Sequence, residues 1–195
     1  MTVPELIQSI CLFRPIKIRI TEITPQKILR NFFEYTDKEF NIRGAARLLK
    51  IAPATASKEL KTLNKKGILQ ERTERNLKLY KGNLDNPLYI DLKIFYNIRK
   101  IKESGLLNEL NTFYLKPTII LFGSTSHGLD TESSDFDLCV ISERTEEIAN
   151  ISIFEKKINR KIHVFVFKNI KDIKNMHLAN NILNGILIQG EAKWI

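Results

Sequence analysis

Apolar residues in the N-terminal part of the chain recur at the three- and four-residue spacing of α-helices. Thr24 and Pro25 suit the N-cap and the first position of a helix, and the apolar residues that follow fall on one helical face: Ile28, Leu29, Phe32, Phe33 and Tyr35. The pattern predicts a second helix over about 42–50 and a third from Pro53 to about Lys66, where Gly67 ends it. In the third helix the expected core positions are Ala56, Leu60 and Leu63.

Alternating apolar and polar residues predict short strands on either side of these helices. Residues 16–20 alternate isoleucine with basic side chains, which is typical of a strand. After the third helix, the runs 68–72 and 77–80 predict a hairpin around a turn at 73–76. The pattern therefore predicts three helices followed by a hairpin.

A long helix is predicted over residues 88–113, with an interruption near Gly105. Its apolar side chains point in almost every direction, and such a helix has to be covered on more than one side. We interpret this segment as a connector packed between two domains or against a second subunit. A homodimer is one hypothesis that follows from it.

The C-terminal part combines short apolar runs of strand length with helical segments. Strands are predicted at 118–122, 136–141, 161–167 and 186–189, and helices within 148–158 and over 172–183. The predicted fold class is α+β with two domains and a mixed C-terminal sheet. The predicted boundaries are 1–82 for the N-terminal domain (core 25–82), 83–114 for the linking helix and 115–195 for the C-terminal domain.

Polar residues at the ends of two of these strands form the candidate chemical site. Gly123 allows backbone N–H groups to approach an anion, and Ser124 adds a hydroxyl donor. Asp135 and Asp137 project from the same side of their strand because strand side chains alternate. Paired carboxylates repel each other unless a cation lies between them, so the pattern predicts a site for a hard divalent ion.

Net charge distinguishes the two halves of the chain. Residues 1–85 carry 17 Lys and Arg against 9 Asp and Glu, whereas residues 86–195 carry 14 against 13. The N-terminal half is therefore the expected polyanion binder.

No apolar run reaches the ~18 to 20 residues of a membrane span, and the N-terminus lacks the basic region of a signal peptide. We expect a cytoplasmic protein with no membrane contact, in which Cys11 and Cys139 are reduced, buried thiols.

The segments Gly123-Ser-Thr-Ser-His-Gly128 and Ser134-Asp-Phe-Asp-Leu138 are similar to the signature of the DNA polymerase β-like nucleotidyltransferase superfamily. They most resemble the minimal nucleotidyltransferases of prokaryotes, of archaeal type. The resemblance implies transfer of a nucleoside monophosphate by attack of a hydroxyl on the α-phosphorus of a nucleoside triphosphate. It implies that Gly123 and Ser124 hold the triphosphate, and that Asp135 and Asp137 bind Mg²⁺, with Mn²⁺ as an alternative. His127 stands where the motif usually has arginine, and we count it with the nucleotide-binding residues.

The family places a third carboxylate in the next strand, where this chain has His163. Three interpretations are open: a half-exposed residue in a module that binds Mg-nucleotide without transfer, a general base, or a metal ligand that favours Mn²⁺ or Zn²⁺. Glu155 and Glu132 are alternative sources of the missing carboxylate.

Residues 25–82 resemble a winged helix-turn-helix, which implies binding of double-stranded DNA with the third helix in the major groove. That helix leaves Thr55, Ser57, Lys58 and Lys61 for a partner, and Arg72 and Arg75 would lie on the wing near phosphates. Winged helices also serve as protein-contact modules, so a lysine-rich face is compatible with either role.

The leading hypothesis is a nucleotidyltransferase, with ATP as the first candidate donor, fused to a DNA-binding winged helix. Its acceptor is unknown. Related small proteins act as antitoxins that nucleotidylate a partner toxin, so a protein acceptor is one hypothesis. The alternative is a DNA-binding transcriptional regulator with a nucleotide-sensing module, and a third hypothesis is a structural adaptor.

Overall fold

The computed structural model describes residues 23–191. The strand predicted over 16–20 and the thiol of Cys11 lie outside the described residues. None of the helices in the described range combines the length and apolar character needed to cross a membrane.

Three helices and a small sheet form the N-terminal unit. The elements are α1 (Ile23–Glu34), β1 (Phe40–Asn41), α2 (Ile42–Leu49), α3 (Pro53–Lys65), β2 (Leu69–Glu74) and β3 (Leu77–Gly82). All three strands are antiparallel, in the order β1-β3-β2. The three core positions predicted in α3 are confirmed, since each is at most 4% exposed: Ala56, Leu60 and Leu63.

Two details of the N-terminal prediction were wrong. The hairpin turn has two residues, not four, because Arg75 and Asn76 both adopt positive φ values, of 46° and 64°. This geometry matches the strand twist in two-residue hairpin loops and lets the strands continue to the turn. Strand β1 was not predicted, since a two-residue strand has no alternation to detect.

The connector consists of helices α4 (Pro87–Ser104) and α5 (Leu106–Tyr114). Gly105, at φ 87°, separates them as predicted. Near its start, α4 places Tyr89 in the N-terminal core, where the hydroxyl donates to the carbonyl of Phe32 at 2.9 Å. Near its end, Ile101 belongs to the C-terminal core. The connector therefore packs between the two units, one of the two arrangements predicted.

A four-stranded mixed sheet organises the C-terminal unit. Its elements are β4 (Thr118–Phe122), β5 (Phe136–Ile141), α6 (Ile151–Ile158), β6 (Ile162–Phe167), α7 (Met176–Leu183) and β7 (Ile186–Gln189). The order is β6-β5-β4-β7, with β5 and β6 parallel and the other pairs antiparallel. Alternate residues of β4 face two different cores, so that Ile119 packs with α5 and α6 whereas Ile120 packs with α7.

The last helix begins later than predicted. Asp172 ends a short 3₁₀ turn that Asn169 caps, and the backbone then extends through Ile173. Asn175 caps the helix proper by accepting from the N–H groups of His177 and Leu178.

Cys139 in β5 is a buried free thiol, and burial raises its pKa to about 12.

Buried charges join the N-terminal unit, the connector and the sheet. Lys93 of α4 is fully buried, and its Nζ donates to Thr36 Oγ1 at 2.7 Å and to the carbonyl of Asp130. The Asp130 carboxylate accepts from Arg160 Nη1 at 2.6 Å and from Asn97 Nδ2 at 2.8 Å. Burial lowers the pKa of Lys93, and the negative charge of Asp130 opposes that change.

We expect Asp130→Ala to lower the free energy of unfolding by about 3–5 kcal/mol, because it leaves two buried cations without their shared partner. Urea unfolding at neutral pH measures the change. Asp91→Ala, which removes an exposed carboxylate from α4, should stay within about 0.5 kcal/mol of the parent. A loss below about 1 kcal/mol for Asp130→Ala would mean that the cluster does not hold the units together.

Candidate active site

The turn after β4 brings backbone close to a carboxylate. Gly123 has φ 73°, and a Cβ built on it would lie 2.6 Å from Asp137 Oδ2. Any other residue would therefore displace that carboxylate as well as strain the backbone. The turn is closed by Ser126, whose hydroxyl donates to the carbonyl of Gly123 at 2.7 Å. Ser124 begins a 3₁₀ turn here and is half-buried.

Asp135, Asp137 and His163 meet where the neighbouring strands β5 and β6 begin. The parallel pairing of β5 and β6 places His163 opposite Asp137. His163 Nδ1 lies 3.3 Å from Asp137 Oδ1, and Nε2 lies 3.8 Å from Asp135 Oδ2. The three side chains are 38%, 27% and 54% exposed, in that order, so a ligand has access to them.

Burial and two neighbouring side chains set the pKa of Asp137. Burial raises the pKa of Asp137, and the negative charge of Asp135 adds to the increase. The hydrogen bond and the charge of His163 act in the opposite direction. His163 therefore favours the ionised form of Asp137, as a bound cation would.

Helix α4 supports the loop between β4 and β5. Asn97 Nδ2 donates to the carbonyl of Thr125 at 3.0 Å as well as to Asp130. Gly128, at φ 67°, packs so closely that a Cβ would lie 2.9 Å from the carbonyl of Ile90. His127, in the same loop, is exposed, and its backbone N–H donates to Ser124.

The residues that hold this loop were not identified from the sequence. The available signal was a pair of polar residues, Lys93 and Asn97, four positions apart in the otherwise apolar run 92–98. That spacing puts both on one helical face. In the structure both are buried and both bond to Asp130.

The aspartate pair suits a divalent metal ion only if phosphate oxygens of a bound nucleotide supply further ligands. Among residues 23–191 there is no group of three or more His, Cys, Asp and Glu side chains arranged to hold a metal. Mg²⁺ keeps several waters and needs only one or two carboxylates when phosphate oxygens complete its shell. Asp135 and Asp137 supply those carboxylates beside the Gly123 turn, so the residues present fit a metal bound together with a nucleotide.

The other two carboxylates considered for the third position have different partners. Glu155 accepts from the N–H of Ile162 at 3.1 Å and lies 3.5 Å from Lys161 Nζ. Glu132 pairs with Lys38 at 2.7 Å. The side chain beside both aspartates is that of His163.

The predicted DNA-contacting residues differ in exposure and in their ion pairs. On α3, the side chains of Thr55, Lys58 and Lys61 are exposed and Ser57 is half-buried. Arg75 is exposed at the hairpin turn. Arg72 instead forms a bidentate pair with Glu39, both bonds being 2.6 Å, and a third contact with Glu74 at 2.7 Å.

Comparison with known proteins finds a family similar to the C-terminal part of the chain. The model of the family described as nucleotidyltransferase domain matches residues 103–187. This match supports the nucleotidyltransferase part of the resemblance and includes Gly123, Asp135, Asp137 and His163. A search of curated proteins gave no match.

Four solved chains also match. One is Sso10a-2, a DNA-binding protein from Sulfolobus solfataricus, at 23% identity over 42% of this chain and 87% of that chain. The TM-score of 0.32 is too low for this likeness to define a fold.

We expect His163→Ala to raise the pKa of Asp137 further, because the substitution removes the hydrogen bond and the charge that lower it. Carbon-13 NMR titration of the Asp137 carboxyl measures the change. His177→Ala, which removes an exposed histidine from α7, should leave that titration unchanged. A lower pKa in His163→Ala would contradict the assigned contact.

Proposed function

We propose that the protein is a nucleotidyltransferase that moves a nucleoside monophosphate from a nucleoside triphosphate, first ATP, to an acceptor hydroxyl. The observation that carries the proposal is the close approach of the Gly123 turn to Asp137, within a segment that matches the nucleotidyltransferase domain. A phosphate chain on that turn would lie directly beside the aspartate pair. Asp135 and Asp137 would bind Mg²⁺ or Mn²⁺, which supplies charge neutralisation for the phosphates.

Residues of the chain would bind the phosphates and accept the proton of the acceptor hydroxyl. The backbone at Gly123 and the hydroxyl of Ser124 would donate to phosphate oxygens, and exposed His127 would face the same anion. The acceptor oxygen forms a bond to the α-phosphorus while the bond to pyrophosphate breaks. We assign the acceptor proton to His163, whose imidazole lies beside both aspartates and accepts a proton without carrying a negative charge.

A DNA-binding role for the N-terminal unit is proposed as the second function. It is supported by the three helices with an antiparallel hairpin and by the exposed lysines of α3. Of the two candidate wing arginines we favour Arg75, because the ion pairs of Arg72 already engage its guanidinium. The contacts of α4 with the β4–β5 loop favour a regulator in which nucleotide binding and DNA binding influence each other.

We expect α-labelled ATP with Mg²⁺ or Mn²⁺ to label an acceptor in cell extract. Asp135→Ala with Asp137→Ala should abolish labelling and metal-dependent nucleotide binding, because both metal ligands are lost. His163→Ala should retain nucleotide binding and lower the labelling rate about 10²–10⁴-fold, the usual contribution of a general base. Calorimetry and gel autoradiography provide the two measurements.

His177→Ala is the matched control and should label at the parent rate. Equal labelling by His163→Ala and the parent would remove the general-base assignment. Absence of label with every metal, together with nucleotide-dependent DNA binding, would exclude the enzyme and support the regulator.

We expect Lys58→Ala with Lys61→Ala to weaken binding of double-stranded DNA across all sequences. The slope of log affinity against log salt should fall by about 1 for each lysine, because each phosphate contact releases a counterion. Fluorescence anisotropy at several salt concentrations measures both effects. Lys171→Ala with Lys174→Ala removes the same charge far along the chain, and an equal effect from this pair would rule out a specific surface on α3.

A further inference from the structure

A cleft lies between the N-terminal unit and the C-terminal unit. Its volume is about 390 Å³, within the usual range for small-molecule sites. Helices α1, α2 and α4 form one side, and the end of α6 with the residues after it forms the other. Its described lining includes none of the candidate active-site residues: Gly123, Ser124, His127, Asp135, Asp137 and His163.

Positive charge dominates this interdomain cleft. Its lining contains two carboxylates and five cations, the latter being Lys27, Arg30, Lys100, Lys157 and Arg160. Lys100 is paired with Glu34 at 2.5 Å, and Arg160 with Asp130 at 2.6 Å. The second carboxylate, Glu132, is paired with Lys38.

Three cations of the cleft form no ion pair with a carboxylate of the described residues. Within the part of the chain that the structure describes, no carboxylate forms an ion pair with Lys27, Arg30 or Lys157. Lys157 is exposed, and its Nζ donates to the carbonyl of Ser104 at 3.0 Å, so this contact leaves its charge without a carboxylate partner. Cations concentrated in a cleft attract anions more strongly than scattered surface lysines do.

One wall of the cleft is apolar. The apolar and aromatic lining residues there are Leu48, which is 46% exposed, its neighbour Leu49, and Tyr35. An inorganic anion would leave this wall in contact with water. An anion with an organic part would cover it, and burial of apolar surface would add to the affinity.

We propose that the interdomain cleft binds a phosphorylated organic anion of nucleotide size. Lys27, Arg30 and Lys157 contact its phosphates, and the wall of Leu48 and Leu49 contacts its organic part. The site is separate from the proposed catalytic centre and needs no metal. Because both units contribute residues, the bound anion bridges them.

The test uses the full chain with Asp135→Ala and Asp137→Ala, titrated with ADP in excess EDTA, so that metal-dependent binding at the aspartate pair is absent. Calorimetry should detect one site. Adding Arg30→Ala with Lys157→Ala should weaken ADP binding at least 10-fold. The matched control, Lys168→Ala with Lys174→Ala, removes two exposed lysines elsewhere and should change the affinity less than 2-fold.

Pyrophosphate should bind at least 5-fold more weakly than ADP, because it has no organic part to cover the apolar wall. Circular dichroism should confirm that each variant is folded before titration. Absence of ADP binding, equal loss in the control pair, or equal affinity for pyrophosphate and ADP would each overturn the proposal. The labelling assay tests the aspartate site, whereas the ADP titration tests the interdomain cleft. Failure of one therefore does not decide the other.

Discussion

The carboxylate of Asp130 shares the protein interior with two cations, Lys93 and Arg160. Transfer of charged groups out of water is costly, and each is tolerated only while its partners remain within hydrogen-bond distance. Lys93 belongs to α4, Arg160 follows α6, and Asp130 belongs to the loop between β4 and β5. The cluster therefore forms only when all three segments are in place, so the units are arranged by charge pairing as well as by apolar burial.

The same loop carries the proposed phosphate-binding residues, which links the charge cluster to function. Asn97 bonds both to Asp130 and to the carbonyl of Thr125, one residue after Ser124. A shift of α4 would move the loop, and an anion held on the loop would resist that shift. Coupling between binding sites is reciprocal. A ligand of the N-terminal unit that displaces α4 would therefore alter nucleotide affinity, and the nucleotide would alter affinity for that ligand equally.

Local patterns were sufficient to predict most elements and the candidate site. Helical spacing identified the core of α3, and strand alternation predicted that Asp135 and Asp137 lie on the same side of one strand. The two-residue hairpin turn and the late start of α7 were not predicted, because both depend on individual backbone angles and side-chain caps. The ion cluster and the pairing of Arg72 with Glu39 also could not be predicted. They join residues far apart in the chain, whose proximity only the fold establishes.

Histidine in place of a third carboxylate changes two properties of the proposed site: its net charge and the group that accepts the proton. In the proposed site the two aspartates would balance the charge of one divalent ion, whereas a third carboxylate would leave excess negative charge facing a triphosphate. The imidazole of His163 carries no negative charge and so avoids that repulsion, but it also lacks the oxygen ligand that a hard cation prefers. The site would then depend on phosphate oxygens to complete the coordination of the metal. Metal and nucleotide would therefore bind together rather than in sequence, and the position of the Gly123 turn would determine the affinity for both.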